Sequence, residues 1–268
     1  MIKILKNLRG KHAQTEPAHQ DDTPFFIVGC VRSGTTMLRN VLRRHPRLEC
    51  PEETHFFRWT DPFGSPQFLR PYQHNPVVRK QQEMDGVSRE EFDALVAASN
   101  SRKELAEKYG QLYLQKRGNP HGRWFDKTPQ HFYGMLMISQ MFPQARFIHI
   151  YRNPLNVVAS LFEGKVVSLP DMSAATSYWV EAMAVMTEYK QLGGADRVLE
   201  IGYEDFTSNP VNCSQRILEF IGEDEGLLRN PGKGIHPERN RYQQVLGDSD
   251  IEEVRRRCMP YQEYYGYT

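Results

Sequence analysis

The stretch FFIVGCVRSGTTMLRNVLRRH, from Phe25 to His45, constrains the fold more than any other part of the chain. FFIVGC is a short apolar run ending at a glycine, and TTMLRNVLRRH carries the spacing of an amphipathic helix. Between them lies GCVRSGTT, with Gly29 and Gly34 five residues apart. Strand, glycine loop and helix in this order point successive backbone N–H groups at an anion. A triphosphate-binding loop needs a lysine after its second glycine, and Thr35 stands there instead. A shorter anion suits the loop better. Arg32 supplies charge, and Ser33, Gly34, Thr35 and Thr36 supply hydroxyl and backbone donors for a 5'-phosphate. The plainer alternative is a glycine turn leading into a capped helix.

The same alternation recurs twice. Near Arg123, WFDKTP leads into a helical pattern through Met141, then the apolar run RFIHIY passes through Arg152 and Pro154 into VVASLF. Further on, a helical stretch from Ser173 to about Leu192 precedes the strand VLEIGY and the helix VNCSQRILEFIG, which Asn209 is placed to cap. These repeats predict an α/β fold of three layers, P-loop-like, with a central, mostly parallel sheet flanked by helices. Residues 54–122 read as an insert of aromatic-rich loops and two helices, opened by capping boxes at Ser88 with Glu91 and at Ser101 with Glu104. That insert is expected to form a lid or acceptor wall. Ser249 with Glu252 opens a last helix that Pro260 should end, and the tyrosine-rich tail should pack on the body.

At 268 residues the chain suits one domain, residues 23–268, preceded by a flexible arm over residues 1–22. A formal net charge of +1 supplies no bulk field to recruit nucleic acid or an acidic membrane. No apolar run is long enough for a signal peptide or a spanning helix. Cys30, Cys50, Cys213 and Cys258 lack both zinc-site spacing and the density of a disulfide scaffold, so reduced thiols in a cytoplasm are expected, with no metal. The oligomeric state is not legible.

With RSGTT following a buried strand, the sequence resembles the sulfotransferase superfamily, in particular its bacterial and Golgi (tyrosine-sulfating) branches, from about Phe25 to the C-terminus. The resemblance implies a donor, 3'-phosphoadenosine 5'-phosphosulfate (PAPS), with the bisphosphate PAP as product and a hydroxyl acceptor: a saccharide, a tyrosine or phenol, or a lipid headgroup. The family's 3'-phosphate motif is an arginine at a strand end and a serine eight residues later, which fall here on Arg152 and Ser160. Alone, Arg152 reads as a surface ion pair and Ser160 as a helix-packing residue. Together they suit one phosphate, because Arg152 leaves its strand at the carboxyl end and Ser160 lies about two turns into the helix.

The resemblance also supplies a base and a cation. His45, Pro46, Cys50, Glu52, Glu53 and Thr54 match a Golgi-branch stretch whose second glutamate takes the acceptor proton, which implies Glu53. Without that context the two glutamates read as a solvated acidic pair. Burial beside Phe56, Phe57 and Trp59 is expected to raise the Glu53 pKa and suit it to the task, and His55 is the alternative base. Lys127 in FDKTP resembles the lysine that contacts the transferring sulfonate and bridging oxygen. Cytosolic members carry a catalytic histidine two residues later, where this chain has Pro129; His131 stays open as a base or a helix-surface residue. Tyr203 resembles a tyrosine near the nucleotide, although an aromatic at a strand end also serves packing. In the late loop NPGKGIHPERNRYQ, Lys233, Arg239 and Arg241 are candidates for the 3'-phosphate or adenine. The Golgi cysteine before the lysine is missing here, since Phe125 and Asp126 precede Lys127.

Two rivals remain: a P-loop-type nucleotide kinase, which would need the absent lysine and a strand-end aspartate where Arg152 stands, and a non-catalytic nucleotide-binding protein of the same fold.

Overall fold

The computed structural model describes residues 22–164, 167 and 169–267. The expected N-terminal arm, apart from Asp22, lies outside the described residues.

Alternating apolar side chains give strand β1 (Phe26–Val28) two buried faces. Phe26 and Val28 pack with Trp124, Phe147 and Trp179, whereas the core on the opposite face gathers Phe25, Ile27, Leu38, Phe125 and Ile148. A strand buried on both sides needs cover on both, which is the condition for a three-layer α/β fold. The other strands are β2 (Leu48–Glu49), β3 (Arg123–Trp124), β4 (Phe147–Tyr151) and β5 (Val198–Gly202). β1 pairs with β4, β4 with β5, and β2 with β3, every pair parallel. A parallel bridge from Phe26 to Asp126 joins the two groups, so the order across the molecule is β2, β3, β1, β4, β5. From β1 the chain runs to β2 on one side, and from β3 it crosses to β4 on the other, so the connections diverge around β1, where ligands bind in open parallel sheets.

Helix α1 (Thr35–Leu42) covers the Phe25 face. The insert differs from expectation: it holds four helices, α2 (Pro66–His74), α3 (Pro76–Met84), α4 (Arg89–Ala97) and α5 (Arg102–Lys116). The two unforeseen ones each open on a cap followed by proline. Ser65 Oγ accepts from the Phe68 N–H at 3.1 Å, and Asn75 Oδ1 from the Val77 N–H at 2.9 Å; proline in the first turn loses no bond the helix could have made. The Ser88–Glu91 box forms in both directions. At Ser101 only half forms, because the Glu104 carboxylate accepts from the Asn100 N–H at 2.8 Å and from Lys108 at 2.7 Å instead. Phe68 and Tyr72 are buried against Phe56 and Phe92, so much of the insert's aromatic content is its own core.

The remaining helices are α6 (Met135–Met141), α7 (Pro154–Gly164), α8 (Met172–Tyr189), α9 (Tyr203–Ser208), α10 (Pro210–Ile221), α11 (Tyr242–Val245) and α12 (Asp248–Tyr264). Asn209 stands at the start of α10 but caps nothing with its side chain, whose Nδ2 donates to Asp205 at 3.3 Å. Pro260 does not end α12. It removes one helical hydrogen bond, yet Val254, Cys258 and Gln262, four residues apart, are buried along one stripe, and that packing carries the helix through. The tail docks as expected, with Tyr265 donating to Glu200 at 2.8 Å and Tyr267 to Glu204 at 2.6 Å.

Candidate active site

The loop between β1 and α1 is shaped by two glycines. Gly29 has φ +148°, and a Cβ there would stand 2.4 Å from the Ile150 carbonyl oxygen. Gly34 has φ +96°, and a Cβ there would meet the Tyr203 ring at 2.4 Å. Both positions therefore exclude a side chain, and Arg32 between them adopts φ +73°. Gly34 caps α1 without a side-chain bond, so the N–H groups that open the helix keep no partner within it. Ser33 Oγ is buried and unpaired. A cavity of about 210 Å³ opens over this loop, lined by Arg32, Gly34, Thr35, Thr36, Arg152 and Tyr203. Free N–H groups, hydroxyls and guanidinium groups around one hollow can hold an anion.

Arg152 follows β4 at its carboxyl end, and its guanidinium lies 4.3 Å from the Tyr203 ring centroid. Arg152 Nη1 donates to the Arg32 carbonyl at 3.0 Å, and Arg32 Nε donates to Ser160 Oγ at 2.8 Å. The two motifs, more than a hundred residues apart, thus share one wall. Arg152 has a further partner that the sequence did not suggest. Its Nε donates to Glu238 Oε2 at 2.6 Å and its Nη2 contacts the same carboxylate. The other oxygen of Glu238 accepts from the Arg239 and Asn240 N–H groups at 2.7 and 3.1 Å.

The structure does not bring Lys233 to the cavity: its carbonyl is held at 2.8 Å by Arg44, which lies beyond the opposite end of α1. Arg239 is exposed, and Arg241 faces Glu163 at 3.5 Å.

Glu52 and Glu53 do not form one acidic pair, because they diverge. Burial works to raise the Glu52 pKa, but Arg39 at 2.5 Å and Arg43 at 3.4 Å hold it below its ordinary value. Glu53 turns the other way, with Oε1 2.5 Å from Lys127 Nζ. Lys127 is 2 % exposed, and its Nζ also lies 3.3 Å from Thr36 Oγ1 in the glycine loop. A carboxylate and an ammonium therefore face each other beside Thr36, which lines the cavity. The aromatic surroundings expected for Glu53 form only in part: Phe56 and Phe57 turn into the core, and Trp59 stands half-buried against His55.

Both histidines lie away from solvent. Burial lowers His55 to about 4, although Glu53 opposes the shift, and it lowers His131 to about 3. His131 is fully buried rather than on a helix surface. Its Nε2 accepts from the Phe57 N–H at 3.3 Å, which assigns the ring proton to Nδ1, 3.5 Å from Asp126 Oδ1. His55 Nε2 lies 3.2 Å from Gln81 Oε1 and 3.8 Å from Glu53 Oε2. Its backbone turns at φ +58°.

A glycine loop after the first strand of a parallel sheet, opening on a positively lined hollow at a topological divergence, defines a phosphate-loop nucleotide-binding fold. The profile of the sulfotransferase family matches residues 24–225, and the chain belongs to that family. Among its relatives is protein-tyrosine sulfotransferase 1 of Danio rerio, 28% identical over 221 residues, covering 79% of this chain and 57% of the relative. Another is the omega-hydroxy-beta-dihydromenaquinone-9 sulfotransferase Stf3 of Mycobacterium bovis, 25% identical over 258 residues, covering 75% of this chain and 63% of the relative. The chain spans about half the length of the tyrosine sulfotransferases it matches. Among solved structures, the sulfotransferase domain of the Synechococcus PCC 7002 olefin synthase superposes with a TM-score of 0.66 at 22% identity, covering 94% of this chain and 98% of that one. That likeness shows the fold. No helix among the described residues is long and apolar enough to cross a membrane.

Proposed function

We propose that this chain moves a sulfuryl group from PAPS to a hydroxyl acceptor. The observation that carries the reading is Lys127, whose ammonium touches both Glu53 and the glycine-loop hydroxyl of Thr36. In this reading Arg32, Ser33, Gly34, Thr35 and Thr36 hold the 5'-phosphosulfate, and Arg152 with Ser160 takes the 3'-phosphate beside Tyr203. Glu53 accepts the acceptor's proton as the new oxygen–sulfur bond forms. The bond from sulfur to the 5'-phosphate oxygen breaks, and the electron pair stays on that oxygen, where Lys127 balances the charge. Lys233 has no part in this arrangement. Four buried free thiols suit a reducing, cytoplasmic setting.

Calorimetry separates this reading from a kinase. Adenosine 3',5'-bisphosphate should bind equally with and without magnesium, and ATP should bind poorly; tight, magnesium-dependent ATP binding would overturn the assignment. The acceptor follows from a screen with sulfur-labelled donor against a tyrosyl peptide, simple phenols, saccharides and hydroxylated lipids.

The Glu238 contact gives a further expected result. A carboxylate on Arg152 competes with a 3'-phosphate for the same guanidinium, and charge-assisted bonds of this kind contribute about 1.5–3 kcal/mol each. Glu238→Gln should therefore tighten the 3',5'-bisphosphate about tenfold, at 1.4 kcal/mol per decade, and leave AMP, which lacks the 3'-phosphate, nearly unchanged. Equal changes for both nucleotides would remove the competition.

A further inference from the structure

A closed ring of hydrogen bonds joins the chain neighbours of Glu53 and Lys127, and its centre, Asp126, is fully buried. Asp126 Oδ2 accepts from Thr54 Oγ1, and Oδ1 accepts from Thr128 Oγ1 at 2.8 Å. Thr128 Oγ1 in turn accepts from the His55 N–H at 3.3 Å. The ring thus runs from Asp126 to Thr54, along the backbone to His55, and back through Thr128. Each threonine is the chain neighbour of a reacting group: Thr54 follows Glu53, and Thr128 follows Lys127.

Two observations show that the ring fixes geometry rather than filling space. The first is the backbone of His55, at φ +58°, a conformation that residues with a side chain seldom adopt and that surrounding bonds must hold. This turn lies inside the ring, two residues after Glu53. The second is the register of Asp126 itself. Its N–H donates to the Phe25 carbonyl at 3.1 Å and its carbonyl accepts from the Ile27 N–H at 2.9 Å, so its backbone is locked beside β1 at the root of the glycine loop. Anchored there, the carboxylate makes a rigid reference from which both hydroxyls are placed. Burial raises the Asp126 pKa to about 6, with the threonine hydrogen bonds acting against it. His131, the nearest ring nitrogen at 3.5 Å, is kept neutral by burial, and Lys127 reaches Asp126 only through space.

We propose that Asp126 is the positioning residue for sulfuryl transfer: through Thr54 and Thr128 it sets the Glu53 carboxylate against the Lys127 ammonium across the reacting atoms. The inference rests on the roles given above to Glu53 and Lys127. Asp126 does not touch the substrate.

Asp126→Ala would leave two buried hydroxyls without their acceptor, a change that threatens folding itself, so Thr54→Val is the decisive variant. It is nearly isosteric and removes one bond of the ring. Three measurements decide the matter: the affinity for adenosine 3',5'-bisphosphate by calorimetry, the turnover of labelled donor with 4-nitrophenol in excess, and a crystal structure of the variant. Thr54→Val should keep the bisphosphate affinity within about twofold and lower kcat about tenfold or more. In the crystal, the contact between Glu53 Oε1 and Lys127 Nζ should be lost. On a Glu53→Gln background the same change should cost less than about twofold, because a residue acting through Glu53 has nothing left to place. A contact preserved in the Thr54→Val crystal, or a loss that multiplies onto Glu53→Gln, overturns the positioning role while leaving the base assignment standing. A Glu53→Gln enzyme as fast as the parent removes the base assignment, and the positioning role with it.

Discussion

Lys127→Ala should lower turnover by about 10²- to 10³-fold, the loss seen when one preorganised charge-stabilising group is removed from a reacting centre. The size follows from where the ammonium sits. At 2 % exposure it works where water screens little, so in the proposed step charge on the departing 5'-phosphate oxygen is screened less than it would be in bulk water. The bisphosphate product lacks the sulfonate, and the proposed reading gives its phosphates to the glycine loop and to Arg152, so its affinity should shift by no more than about threefold. Lys127→Met serves as the companion variant, since it keeps the buried stem and removes only the charge. Similar losses in both variants assign the effect to charge, whereas recovery in Lys127→Met assigns it to packing. Turnover of labelled donor, with calorimetry on the bisphosphate, checks both. An alanine variant as fast as the parent would take Lys127 out of the mechanism.

The parts of this site that the sequence reveals are those carried by contiguous stretches. The glycine loop is legible because a strand, two glycines and a helix must follow one another for the backbone to point its N–H groups at one place. Arg152 and Ser160 are legible only through the family motif that pairs them, since alone each reads as a surface or packing residue. What stays hidden is what the fold joins across distance. Glu238 reaches Arg152 over 86 residues, and nothing in HPER marks that glutamate as a partner. Thr54 and Asp126 meet over 72 residues. The threonines beside Glu53 and Lys127 were a visible signal, but only the pairing of the two loops gives it meaning.

The misread helices have local causes. Ser65-Pro66 and Asn75-Pro76 are sound helix openings, yet Pro71 and the clustered aromatics obscured the periodicity of α2. In α12 the opposite happened: a proline that usually ends a helix was outweighed by a buried stripe continuing on both sides of it. In α12 tertiary packing decided the outcome, and packing is what a local reading lacks.

Glu53→Gln should cost about 10²- to 10⁴-fold in turnover, the range for losing a positioned general base. Glutamine keeps the shape and one acceptor oxygen but can take no proton, so binding of the bisphosphate should persist. His55 stands 3.8 Å away and is the natural substitute, which makes the comparison between the two residues the sharper test. Burial has lowered His55 to about 4, so near neutral pH its imidazole is already deprotonated and only weakly basic. Its Nε2 also faces the Gln81 carbonyl oxygen at 3.2 Å, an arrangement that favours a proton on that nitrogen and leaves no lone pair there for the acceptor. Its Nδ1 is buried and unpaired. His55→Asn should therefore cost less than about tenfold, well short of the loss at Glu53. Parallel turnover measurements on the two variants from pH 5 to 9 decide between them. Should His55→Asn fall as far as Glu53→Gln, the proton goes to the ring, and the carboxylate's part shrinks to holding Lys127 in place.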